Sequence, residues 1–209
     1  EKARPDTEMF KYVVWWITYT NETSKVMGMD EVFVHMVEKY YMTGQAFWMD
    51  SAQLAKIIDR ARKIAPNIIG NVAPELALKD SSGAWQILSK VPAKYTILVF
   101  WDPDCGHCQK EIPKLKEVYD KWKSKGVAVY AVDIEVDADK WKKFIREKKL
   151  DWINVNDANH QSNFRQLYDI YSTPVIYILD EKKVIRAKRI GVEQIEDFLN
   201  HLESMGKKS

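Results

Sequence analysis

One stretch of the chain, residues 95–108, reads YTILVFWDPDCGHC and decides the fold. Its first seven residues are almost all apolar or aromatic, which is typical of a buried β-strand. Cys105 and Cys108 follow directly, and they are the only two cysteines in 209 residues. An amphipathic helical pattern comes next, so the sequence predicts a dithiol at a strand-to-helix junction. Cysteine pairs in that context form reversible, reactive disulfides.

The three-residue spacing is expected to give the two sulfurs different environments. If Cys105 opens the helix, Cys108 lies one turn further on, and both thiols share one edge. The free N–H groups and the positive dipole end of the helix favour the Cys105 thiolate by about 1–2 kcal/mol. Cys108 lies deeper and is better placed to resolve a mixed disulfide than to start one. We therefore expect a lowered pKa for Cys105.

Three charged side chains near the cysteines modify this expectation. His107, when protonated, adds positive charge beside the Cys105 thiolate. Asp102 and Asp104 oppose it, but exposed like charges are worth only about 0.5 kcal/mol. The helix terminus is expected to outweigh the two carboxylates.

Other interpretations of the cysteine pair are weaker. A structural disulfide over so short a loop would remove little chain entropy. A zinc site would need more ligands, and His35, His160 and His201 are scattered along the chain. Two inert buried thiols would not account for the Gly-His insert at a strand-to-helix junction. We therefore expect redox chemistry, with no metal ion and no cofactor.

The composition excludes several classes of protein. Lys and Arg number 32 against 30 Asp and Glu, and no basic stretch suits a nucleic acid. No apolar run approaches the length needed to span a bilayer. The chain begins with Glu1, which suggests a mature or trimmed form, and its cysteine count alone does not identify the compartment.

Residues 1–69 are predicted to form a small all-α domain followed by a linker. The first amphipathic pattern starts at Phe10, the second is expected to be capped by Asp30, and the third opens at Asp50 or Ser51. Pro66 ends the third helix. The aromatic residues of this part are interpreted first as core and second as a partner-binding face; they are Trp15, Trp16, Tyr19, Tyr40, Tyr41, Phe47 and Trp48.

Residues 70–209 are predicted to form an α/β domain. A β-hairpin comes first, and strands and helices then alternate before a closing hairpin and a last helix. This order predicts a mixed sheet with helices on both faces. The expected strands, including the two of the first hairpin, cover residues 76–79, 84–88, 95–101, 127–132, 152–155, 175–179 and 184–187.

The stretch FWDPDCGHCQKEIP, residues 100–113, resembles the active site of TlpA/ResA-type thiol–disulfide oxidoreductases, which have the thioredoxin fold. The hairpin at residues 76–88 and Thr173-Pro174 match the same family. The resemblance covers about residues 70–205. Residues 5–65 look like the helical domain that precedes thioredoxin modules in Bacteroidetes lipoproteins, a match that implies no activity.

This resemblance implies roles for several residues. Cys105 would attack and Cys108 would resolve. Thr173-Pro174 would hold a cis peptide facing the cysteines, where the Thr173 backbone can pair with a substrate strand. Glu111 matches an acidic residue of the family, and a partly buried carboxylate there could move the Cys108 proton.

Trp101 and Gly106 join Thr173 and Pro174 in the substrate-binding set implied by the family. The Gly106-His107 pair departs from many members, which carry Glu-Pro between the cysteines, and matches protein disulfide isomerases instead. A histidine there would raise the reduction potential, so the direction of electron flow stays open.

The expected function is thus reduction or isomerisation of disulfides in exported proteins. The implied partners are disulfide-bearing proteins and an upstream thiol reductant, with a periplasmic location and a lipid anchor outside the present chain. A peroxiredoxin-like peroxidase is an alternative, but that family has Thr where this chain has Asp102. A redox-sensitive binding module is the other alternative.

Overall fold

The protein, a computed structural model, is described for residues 2–157 and 162–206. Within that part, a seven-stranded sheet has the order β2-β1-β5-β4-β3-β6-β7. Its strands are β1 (Ala77–Asp80), β2 (Trp85–Ile87), β3 (Tyr95–Trp101), β4 (Val127–Asp133), β5 (Ile153–Asn156), β6 (Val175–Asp180) and β7 (Ile185–Lys188). The α-helices are α1 (Thr7–Glu22), α2 (Met29–Met36), α3 (Ser51–Ile64), α4 (Gly106–Trp122), α5 (Ala138–Lys148), α6 (Phe164–Leu167) and α7 (Val192–Gly206), and a π-helical segment at Val37–Tyr41 continues α2.

The sheet is mixed, as predicted. Strand β3 pairs in parallel with β4 and antiparallel with β6. Ile97, Val99 and Trp101 point into one core cluster, with α4, α5 and α7. Leu98 and Phe100 point into a second cluster on the opposite face. Both faces of β3 are therefore covered, which explains why the sequence of this strand is almost entirely apolar.

Helix α4 starts directly after Cys105, which is its N-cap residue. The helix continues through Pro113 to Trp122 and is followed by a short 3-10 turn. Gly126 then adopts φ +87°, a left-handed conformation that ends the helical segment and leads into β4. The predicted strand-to-helix junction at the cysteines is confirmed.

The N-terminal helices have a core of their own. Phe10, Phe33, Val37 and Tyr41 are among its buried members. The predicted start of α3 is confirmed, since the Asp50 side chain caps it by accepting the N–H of Gln53 at 2.8 Å.

The predicted cap of α2 is wrong. Gly28, with φ +91°, is the N-cap residue, and Asp30 lies inside the first turn of α2. Its carboxylate instead forms an ion pair with Lys188, the last residue of β7. The sequence pattern could not show this because the partner lies 158 residues away.

The core interpretation is also wrong for four of the aromatic side chains. Tyr40 and Tyr41 are buried, but other rings expose about half of their surface or more; these are Trp15, Trp16, Tyr19 and Phe47. Helix α1 turns Phe10, Val14 and Thr18 toward the shared core of the N-terminal helices, and the opposite face of α1 is aromatic. A helix surface of this size has room to bury only one such face. The partner-binding interpretation of the exposed rings stays a prediction.

Candidate active site

The two cysteines lie where β3 ends and α4 begins. Cys105 is partly exposed, Cys108 is buried, and neither forms a disulfide. The Cys105 sulfur accepts the backbone N–H of Cys108 at 3.5 Å. The Cys105 thiol is thus accessible to solvent, and the Cys108 thiol is covered by the core.

Backbone groups at the start of α4 stabilise the Cys105 thiolate. Burial on its own raises the pKa of Cys105. Hydrogen bonds from the Cys108 N–H, the Thr173 side chain, the Cys108 thiol and the His107 N–H together outweigh burial, so the pKa is lowered from its ordinary value. His107 lowers the pKa of Cys105 through its backbone N–H. Its imidazole ring is exposed.

Cys108 behaves in the opposite way. Desolvation by burial raises its pKa to about 12. A thiol with that pKa stays protonated at neutral pH and reacts slowly with an external disulfide. Cys108 is therefore suited to react only after a partner has been brought next to it.

Thr173-Pro174 faces the dithiol, as predicted. The peptide bond between these two residues is cis, which confirms that prediction. The carbonyl oxygen of Thr173 lies 3.6 Å from the Cys105 sulfur. Both residues are partly exposed, so a polypeptide could reach this backbone and the sulfur together.

The substrate-contact prediction for Trp101 is wrong. Its side chain is 0% exposed and its ring lies 5.0 Å from that of Phe144 in the core beneath α4. A side chain with no exposed surface cannot touch a substrate. Gly106 is exposed, and a Cβ placed on it would meet no atom within 4 Å apart from its chain neighbours and the backbone of its own helix. The space beside the dithiol at this position is therefore open.

Glu111 lies one helical turn after Cys108 on α4. Its side chain is only 12% exposed and forms an ion pair with Lys114 at 2.8 Å. Together with His107 and Pro174 it lines a surface cleft beside the active site. The structure therefore brings Glu111 to the dithiol region.

The two acidic residues before the cysteines do not act alike. Asp104 pairs with Lys140 at 2.6 Å, which offsets its charge. Asp102 accepts the N–H of Asp104 at 2.6 Å and so shapes the turn that leads to Cys105. This arrangement agrees with the expectation that the helix terminus dominates the pKa of Cys105.

One ionisable residue near this site was missed by the sequence reasoning. Asp133 ends β4, directly opposite Trp101 in the sheet, and is fully buried. Burial raises its pKa to about 7, although hydrogen bonds from the Glu135 N–H and the Asn156 amide lower it. The sequence feature that could have indicated a buried carboxyl group is the single aspartate at the end of an apolar strand.

No group of three or more His, Cys, Asp or Glu residues that could hold a metal ion occurs in residues 2–157 and 162–206. His160, one of the histidines considered as a ligand, lies outside the described residues. In the same described part, no helix is long and apolar enough to cross a membrane.

Comparison with known proteins identifies the class to which this fold and site belong. A family model described as AhpC/TSA matches residues 69–188, and the chain belongs to that family. The chain is 28% identical over 137 residues to the thiol-disulfide oxidoreductase ResA of Geobacillus kaustophilus; this covers 66% of the chain and 78% of the relative. ResA of Bacillus subtilis is also 28% identical, over 134 residues.

Solved structures agree with these relatives. A domain of a possible thiol-disulfide isomerase from Cytophaga hutchinsonii is 49% identical and covers 69% of this chain and 99% of its own, with a TM-score of 0.65. A thioredoxin-like protein from Bacteroides caccae, 24% identical, covers 93% of this chain and 70% of its own, with a TM-score of 0.75, and supports the fold including the helices. The ResA-type resemblance is confirmed, and the chain is a thiol–disulfide oxidoreductase. Neither the peroxidase nor the binding module is favoured.

Proposed function

We propose that this oxidoreductase reduces or isomerises disulfide bonds of exported proteins with the dithiol Cys105–Cys108. The observation that carries the proposal is the difference between the two thiols. Cys105 is partly exposed with a lowered pKa, whereas Cys108 is buried with a pKa of about 12. Two thiols that differ in this way in exposure and pKa provide one nucleophile and one resolving group.

The reaction has two exchange steps. The Cys105 thiolate attacks one sulfur of the substrate disulfide, the S–S bond breaks, and a substrate thiolate leaves. Cys108, once deprotonated, attacks the Cys105 sulfur of the mixed disulfide and releases the second substrate thiolate. The substrate gains two electrons and the enzyme is left with a Cys105–Cys108 disulfide. In isomerisation, another substrate thiolate displaces Cys105, and the enzyme stays reduced.

Glu111 is the proposed proton acceptor for the second step. Cys108 holds its proton strongly because it is buried, so it needs a base when it attacks. Residues three apart share a helix face, which puts the Glu111 carboxylate on the side of α4 that carries Cys108. His107 contributes its backbone N–H to the Cys105 thiolate, and its exposed ring borders the cleft.

The substrate chain is proposed to lie against Thr173 and Pro174. The partly exposed Thr173 backbone beside the Cys105 sulfur can hydrogen-bond an extended peptide. The open space at Gly106 leaves room for that peptide next to the attacked disulfide.

Continued turnover as a reductase requires an upstream thiol reductant, which returns two electrons to the oxidised dithiol. We propose a periplasmic or other extracytoplasmic location with a lipid anchor outside the present chain, supported by the ResA relatives and the motif resemblance.

We further propose two domains, residues 1–69 and 70–209. The separate core of the N-terminal helices supports this division.

The experiment that tests the function measures insulin reduction with dithiothreitol as electron donor. The wild-type chain is expected to accelerate the reaction, Cys105→Ser to abolish the acceleration, and Cys108→Ser to accumulate a mixed disulfide visible on a non-reducing gel. Full activity in Cys105→Ser would refute the proposal. Reactivation of scrambled ribonuclease, measured in parallel, separates isomerisation from reduction.

The reduction potential of the Cys105–Cys108 pair provides a further distinction between a reductase and an isomerase. A Gly-His insert is expected to place it nearer about −180 mV, as in isomerases, than about −270 mV, as in thioredoxin. Equilibration with glutathione buffers measures this value.

A further inference from the structure

A buried carboxylate joins the helical region to the segment that carries Thr173 and Pro174. Asp169 is 8% exposed at its side chain and forms ion pairs with Arg60 on α3 and, at 3.0 Å, with Arg189 after β7. The Asp169 carbonyl also accepts a hydrogen bond from Arg189 at 2.7 Å. Two guanidinium groups from different parts of the chain thus converge on one residue.

Asp169 begins a segment that we call the proline loop, residues 169–174. Its φ is +53°, a left-handed conformation that is sparsely populated by residues other than glycine. Such a conformation persists only where the surroundings hold it in place. The loop is held at its start, where Ile170 donates its N–H to the Arg165 carbonyl at 2.9 Å.

Arg60 reaches the middle of the proline loop as well. The ring of Tyr171 lies 5.8 Å from the guanidinium carbon of Arg60 and 4.7 Å from that of Arg189. Tyr171 is nevertheless 70% exposed. The next two residues lead to the Thr173 carbonyl beside the Cys105 sulfur. Arg60 therefore contacts the loop at two points just before it reaches the dithiol.

Other contacts fix the helical region to the sheet on either side of α3 in the sequence. Lys188 at the end of β7 is buried and contacts both Asp30 and Asn67 of the helical region. The Asn67 amide also donates to the Leu167 carbonyl at 3.0 Å. These contacts hold α2 and the segment after α3 in place, so the backbone that carries Arg60 has a defined position relative to the proline loop.

We propose that Arg60 is a positioning residue, through which the helical region holds the proline loop in the geometry that receives a polypeptide substrate. The inference rests on the proposed function, in which Thr173 pairs with the substrate chain. Fixing the loop before binding removes part of the ordering cost of the complex, so the effect falls on substrate affinity.

The test compares Arg60→Gln with the wild-type full-length chain. The variant is expected to raise KM for insulin about threefold to tenfold, with kcat nearly unchanged. Arg60→Lys keeps the positive charge toward Asp169 and should restore most of the affinity. Arg62→Gln, an exposed position on the same helix, is the matched control and should leave KM unchanged.

The outcomes separate this proposal from the proposed function. A wild-type chain that fails to reduce insulin refutes the function, whatever Arg60 does. A folded Arg60→Gln variant with an unchanged KM and a lower melting temperature overturns the positioning role, since it shows a contribution to stability alone. If Arg60→Gln does not fold, Tyr171→Ala replaces it, because that exposed ring is not needed for the core. An unchanged KM in Tyr171→Ala also overturns the proposal.

Discussion

The Cys105 sulfur lies 3.6 Å from the Thr173 carbonyl oxygen, although 68 residues separate them in the chain. The contact exists because β3, which leads to Cys105, pairs antiparallel with β6, which starts directly after Thr173-Pro174. The nucleophile and a strand-like backbone edge therefore meet at one end of the sheet. A substrate disulfide within an extended chain could pair with this edge while one of its sulfurs faces Cys105.

The different environments of the two thiols predict selective alkylation. Iodoacetamide should modify one cysteine of the native protein near neutral pH, and peptide mass mapping should identify it as Cys105. Because the pKa of Cys105 is lowered, the rate should rise with pH to a plateau whose midpoint lies below the ordinary cysteine value. Cys108, with a pKa of about 12, should react only after unfolding. Equal labelling of both thiols in the native state would contradict this division.

The position of Glu111 predicts a defect in the resolving step. Glu111→Gln removes the carboxylate but keeps the shape of the side chain, so release of the mixed disulfide should slow about tenfold or more. Stopped-flow measurement of product release measures this rate directly, and alkylation of Cys105 should be unaffected. Glu117→Gln, at an exposed position of the same helix, is the matched control, because it removes a glutamate but leaves Glu111 and its partner in place. A release rate in Glu111→Gln equal to that of wild type would rule out the proton-acceptor role.

Most of the fold could be predicted from local patterns. The continuous apolar run of β3 indicates a strand covered on both faces, and the cysteine spacing indicates a helix that begins at the dithiol. The pairing of Thr173-Pro174 with the dithiol came from a family resemblance, because no local pattern reports a contact over 68 residues.

The remaining errors concern interactions between distant parts of the chain. Asp30 has the residue type of a helix cap, but its ion pair with Lys188 depends on how the helical region packs against β7. Trp101 adjoins the dithiol in sequence, yet strand alternation turns its ring into the core. The raised pKa of Asp133 arises from burial by neighbouring elements, which its own strand does not reveal.

The buried Lys188–Asp30 pair predicts a large effect on stability. Lys188→Met leaves the Asp30 carboxylate and the Asn67 side chain without their cationic partner. The free energy of unfolding should fall by about 3 kcal/mol, the low end for breaking a buried pair on one side, because the Asp30 side chain keeps some exposure. Urea denaturation measures it, with Lys182→Met, an exposed residue of the preceding turn, as control.

The double variant Asp30→Asn/Lys188→Met tests whether this loss comes from the pair. The double variant should lose less stability than the sum of the losses in the two single variants, because it leaves no charged partner behind. Additive losses would show that the two side chains stabilise the protein independently.

Asp133 predicts how stability depends on pH. Its pKa is about 7 in the folded protein, against an ordinary value of 3.8, because burial disfavours the charged form. The native state therefore keeps a proton that the unfolded chain loses between these values. The contribution of Asp133 to the free energy of unfolding should be greatest below pH 4 and should fall as pH rises to about 7, by at most about 4 kcal/mol. Asp133→Asn removes this titration, so the difference between variant and wild type in urea denaturation from pH 4 to 8 isolates it. Parallel curves for the two proteins would show that Asp133 titrates normally in the folded state.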